Sequence, residues 1–90
     1  MTLKAKMFTP PHPGGILSEE LEHLGVSADD FAKQIGVVSD LMTEILNERA
    51  PITPEITQKI SAVLKGPSVS TWLAMQADFN AWYAKKRQIS

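Results

Sequence analysis

The spacing of small and apolar residues between positions 28 and 47 constrains this chain more than any other feature. Ala32, Gly36, Met42 and Ile45 stand in one register, and each position has its own steric reason. A small residue at Ala32 allows two helices to cross closely, and Gly36 can take the positive φ that turns the chain. Phe31, Ile35, Val37, Met42 and Ile45 then fill the angle between the helices. Many helical hairpins satisfy one or two of these conditions. The complete set reads as a helix-turn-helix over residues 27–47.

Helical signals continue on both sides of this motif. Residues 1–12, with Lys4, Lys6 and then Pro10, Pro11 and His12, read as a flexible N-terminal arm ending in a stiff extended segment. Pro13 suits a first helical position, Leu17, Leu21 and Leu24 recur on one face, and Gly25 ends the run. Within the motif, Ser27 caps a helix with Asp29 and Asp30 in its first turn, and Val38 or Ser39 starts the next, ending near Asn47. After a loop over 48–52, Thr53, Pro54 and Glu55 open a fourth helix with Ile56, Ile60, Val63 and Leu64 as its buried stripe. Gly66 and Pro67 separate it from a long last helix, expected over about 70–86 with Ser70 as cap and a basic end at Lys85, Lys86 and Arg87. The expected fold is therefore all-α: a five-helix, phage-repressor-like helix-turn-helix domain over residues 13–90.

Ninety residues support one compact core, and 43% apolar with 21% charged residues is ordinary for a folded domain. Without cysteine there is no disulfide, thiolate metal site or cysteine nucleophile. No stretch has the roughly 20 apolar residues of a bilayer span, and residues 1–11 lack a signal-peptide core, so a cytoplasmic chain is expected. His12 and His23 show neither metal-ligand spacing nor a nucleophile partner. No enzyme activity, metal or cofactor is expected.

The second helix of such a motif lies in the DNA major groove with its N-terminal residues at base edges. Ser39, Asp40, Leu41, Thr43, Glu44 and Asn47 are the candidates here, with Ser27, Ala28 and Arg49 placed to touch phosphates. Asp40 and Glu44 can accept from a cytosine amino group, and Asn47 can pair with adenine or bond a phosphate. An exposed polar face without a partner is the plainer reading of the same residues. Electrostatics favour the plainer reading: over residues 27–53, Lys33 and Arg49 stand against Asp29, Asp30, Asp40, Glu44 and Glu48. Sequence-independent affinity comes largely from Lys and Arg displacing counterions, so basic residues elsewhere, doubled in a dimer, would have to supply it. In the last helix Trp72 and Leu73 are expected to pack on helices 1 and 4. Phe79, Trp82 and Tyr83, placed beyond the reach of a four-helix core, are expected to form a homodimer seam. Glu19, Glu20 and Glu22 are either a solvated face or a surface for a basic partner.

The ordered set of motifs resembles the HigA-type antitoxins, also described as the VapI/HigA family. The resemblance covers nearly the whole chain. It includes His12-Pro13-Gly14 with Ile16-Leu17, Leu24-Gly25-Val26-Ser27, Ile35-Gly36-Val37, Ile45-Leu46-Asn47 and Ile52-Thr53-Pro54-Glu55. Trp72-Leu73, Gln76 and Trp82 complete it in the last helix. The resemblance implies a dimer that represses its own operon at a palindromic operator and neutralises a cognate toxin, a HigB-like messenger-RNA interferase. Departures fall on the DNA-facing side. The family usually has a phosphate-contacting Gln at Ala28, a Ser or Pro cap at Val38, and often Arg or Gln around Asp40 and Leu41. Glycine and basic residues commonly follow the motif's last Asn, where this chain has Glu48, Arg49 and Ala50. A protein-interaction module, or an orphan regulator that binds DNA weakly or not at all, is the alternative.

Overall fold

The computed structural model describes residues 10–89, with side chains through Lys86, and shows five helices and no strand among them. They are α1 (Pro13–Leu24), α2 (Ala28–Ile35), α3 (Ser39–Leu46), α4 (Pro54–Val63) and α5 (Val69–Ile89). Residues 1–9 of the expected arm lie outside the described residues.

The start of α1 corrects the other end of that arm. His12 is buried, and its Nδ1 accepts a hydrogen bond from the Gly14 amide at 2.9 Å. It is the N-cap of α1, immediately before Pro13, and so belongs to the folded domain. Gly25, at φ 73°, ends the helix in the left-handed conformation.

The core joins Leu17 and Leu21 of α1 to Phe31, Ala32 and Ile35 of α2 and to Met42 and Ile45 of α3. Ile52, Ile56, Ile60 and Trp72 close it from the α4 and α5 side. Val63 and Leu64, expected in the buried stripe, pack partly buried on its margin. Thr53 caps α4 by accepting from the Ile56 amide at 3.2 Å. Behind it the fully buried Thr57 satisfies its hydroxyl by donating to the Pro54 carbonyl at 2.7 Å.

Helix α5 differs from expectation at both ends. Its cap is Ser68, whose hydroxyl accepts from the Thr71 amide at 3.2 Å while its carbonyl accepts from Trp72 at 3.0 Å. A serine reaches the amide three residues on, so Ser68 starts the helix at Val69, and Ser70 lies inside the first turn. With no glycine or proline after Pro67, the helix continues to Ile89. Gln76 fastens α5 to the rest: its buried amide oxygen accepts from the Ile52 amide at 2.8 Å, and its Nε2 donates to Asn80 at 2.9 Å.

Candidate nucleic-acid interface

The crossing with α2, the turn at Gly36 and a close approach of α1 fix the angle of α3. Phe31, Ala32, Met42 and Ile45 are buried where α2 and α3 cross, and Gly36 makes the turn at φ 75°. On the opposite side α1 leans on the end of α3. A Cβ placed on Gly14 would lie 1.8 Å from the Ile45 carbonyl oxygen, so only glycine permits this contact.

With Met42 and Ile45 turned inward, Asp40, Thr43, Glu44 and Asn47 stand exposed on the outer side of α3. Ser39 is half-buried, and Leu41 is exposed. Ser27 is exposed and spends its hydroxyl on the Asp30 amide at 3.1 Å. Ala28 packs its methyl on the core, which leaves chiefly backbone at the start of α2. Arg49, the nearest cation to the outer face of α3 in sequence, has its Nε 3.7 Å from the Glu44 carboxylate. Both partners are largely exposed, so this pair is weak and readily opened.

Two features at the ends of α3 escape a pattern-based reading. Its N-cap is Val38, which has no oxygen to offer the first amides. At the other end Glu48 adopts φ 65°, in the left-handed region that ordinarily favours glycine. The Glu48 carboxylate lies over the first turn of α1, where a Cβ on Gly15 would come within 2.3 Å of its Oε2. Since α1 has no acid of its own in that turn, Glu48 supplies negative charge to the positive helix end from outside. Burial pushes the His12 pKa below 6.5, and the Glu48 carboxylate opposes that shift.

The aromatic residues of α5 divide. Phe79 was expected beyond the core's reach; it is half-buried, with its ring edge-on to His12 at 4.8 Å. Helix α5 thus carries Phe79 over the start of α1. Phe79 also contacts Trp82 at 5.6 Å and stacks on Tyr83 at 6.1 Å. The Lys86 ammonium lies 5.1 Å from the centre of the Trp82 ring. Among the described residues no group of His, Asp and Glu could hold a metal ion, and no helix is long and apolar enough to cross a membrane.

No protein-family model matches the chain. It is 38% identical over 77 residues to an uncharacterized HTH-type transcriptional regulator, YddM, of Escherichia coli, spanning 86% of this chain and 78% of that one. Its fold is similar to an addiction module antidote protein of the HigA family from Coxiella burnetii. That likeness has a TM-score of 0.81 and 32% identity, over 89% of this chain and 87% of that one. It is also similar to Pseudomonas aeruginosa antitoxin HigA, solved with the higBA promoter. There the TM-score is 0.76 and the identity 25%, over 90% of this chain and 91% of that one.

Proposed function

The chain belongs to the HigA family of helix-turn-helix antitoxins, and from that premise we propose that it represses its own operon and neutralises a messenger-RNA-cleaving toxin encoded beside it. The observation that carries the DNA half of this reading is α3 itself. Its inner side is locked by Met42, Ile45 and the Gly14 contact, and Asp40, Thr43, Glu44 and Asn47 are exposed on its outer side. Ser39, Asp40, Leu41, Thr43, Glu44 and Asn47 face the bases in this reading, while Ser27, the backbone at Ala28, and Arg49 face phosphates. A homodimer presents two such helices to a palindrome, with Trp82 and Tyr83, and the exposed edge of Phe79, as its seam.

One observation favours a second reading, in which the protein acts chiefly by binding its toxin. The outer side of α3 carries the exposed carboxylates of Asp40 and Glu44, which oppose an approaching phosphate. Salt separates the two. A mobility shift on the gene's own promoter is expected to give a specific complex at low salt that weakens steeply as salt rises. If no specific complex forms even at low salt, operator binding is rejected and the toxin-binding reading stands. Co-expression with the neighbouring reading frame tests neutralisation: the toxin arrests growth alone, and this chain restores it. Sedimentation at micromolar concentration giving a monomer rejects the seam.

A further inference from the structure

Several exposed large apolar side chains occur among the described residues, and two of them, Val38 and Leu41, stand together at the start of α3. Val38 is 70% exposed and Leu41 39% exposed, three residues apart and so within one helical turn. Neither contributes to capping. Val38 gives α3 no side-chain hydrogen bond, and Asp40 beside it already places a carboxylate in the positive first turn. A phosphate approaching the uncapped amides at this end therefore also meets the Asp40 carboxylate and hydrocarbon. Helix α3, with the sequence SDLMTEIL, also contains no Arg or Lys, so it has no cationic fork for the O6 and N7 of guanine.

We propose that Val38 and Leu41 read thymine 5-methyl groups in the major groove, beside a base whose amino group donates to Asp40. This rests on the operator reading above and specifies its chemistry. The major groove offers one apolar feature, the thymine methyl, and its amino donors are cytosine N4 and adenine N6. An apolar pair flanking a carboxylate matches those features and mismatches the acceptor-rich edge of guanine. Specificity in this protein then comes from hydrocarbon contact and an acidic acceptor, and affinity from basic residues elsewhere.

The test removes the methyl group and nothing else. The promoter site protected by the protein is made as a duplex in which each thymine in turn becomes deoxyuridine, and binding is followed by fluorescence anisotropy. Wild-type protein is expected to lose about fourfold in affinity for each contacted methyl. The salt dependence stays unchanged, because a methyl contact releases no counterions. Val38→Ser and Leu41→Ser are expected to bind the thymine duplex more weakly and to lose the penalty for deoxyuridine at their own positions. Both side chains are exposed, and serine at position 38 supplies a cap, so the variants retain the fold. Unchanged affinity for a fully deoxyuridine half-site overturns the proposal, as does full uridine sensitivity in both variants. If the wild-type chain shifts no promoter duplex at low salt, the operator reading itself fails, and this inference with it.

Discussion

Helices α2 and α3 are neighbours of equal length, eight residues each, yet they are specified in opposite ways. Helix α2 carries its own instructions: a Ser27 cap, Asp29 and Asp30 at the positive end, and Gly36 in the left-handed stop. Helix α3 starts at Val38 without a side-chain cap and ends at Asn47 before a left-handed Glu48. Short isolated helices are unstable in water, so α3 exists because of what it packs against. Its support comes from Met42 and Ile45 buried between α1 and α2, and from Gly14 pressed on the Ile45 carbonyl. The helix proposed to meet DNA thus draws its position from its inner side, which leaves its outer side free to vary.

The largest test of that dependence is at Gly14. Gly14→Ala is expected to cost about 3 kcal/mol or more in urea unfolding, because its Cβ meets backbone that cannot step aside. Gly15→Ala is the control: its Cβ meets only the Glu48 carboxylate, the mobile end of a side chain, and a cost of less than about 1 kcal/mol is expected. Equal costs at the two glycines would remove α1 from the positioning of α3.

The caps give a smaller test of the same contrast. Ser27→Ala is expected to destabilise by about 1 kcal/mol, since the Asp30 amide loses its acceptor, whereas Val38→Ala is expected to change stability little. Val38→Ser should gain up to about 1 kcal/mol by supplying the missing cap. Glu48→Gly is expected to gain somewhat less than about 1 kcal/mol: it relieves the left-handed backbone but loses the carboxylate over α1. If α3 is as self-sufficient as α2, the serine at 38 brings no increase in urea midpoint.

The same contrast decides how much was legible in the sequence. The boundaries of α1 and α2 follow from Pro13, Gly25, Ser27 and Gly36, because those residues act on their own backbone. What stayed hidden depends on residues distant in the chain. Gln76 matters because it meets the Ile52 amide 24 residues away, and Phe79 because α5 returns it to His12. Neither contact leaves a periodic trace. Ser68 and Ser70 are equally good caps by type, and only the backbone path after Pro67 chooses between them. For the interface, the exposed set Asp40, Thr43, Glu44 and Asn47 was readable from helical spacing. The apolar exposure of Val38 leaves no sequence signal, because a cap position is recognised by its oxygen and valine has none.

His12 offers the finest test, since it links the start of α1 to the end of α3 through Glu48. Its Nδ1 accepts from the Gly14 amide, and a proton there would abolish that bond, so the folded state holds the imidazole neutral. Burial, opposed by Glu48, accordingly sets its folded pKa below 6.5. As the pH falls, the unfolded chain takes up the proton first, and unfolding becomes easier. The stabilisation is therefore complete above about pH 6.5 and is lost as the pH drops from there through the lower folded-state value. In His12→Asn the side-chain oxygen can still cap α1 but does not titrate across this range. The fall in urea midpoint below pH 6.5 should be shallower in that variant than in the wild type. Parallel declines would mean that His12 does not carry the effect. Glu48→Gly removes the charge that holds the His12 pKa up, and should move the decline to lower pH.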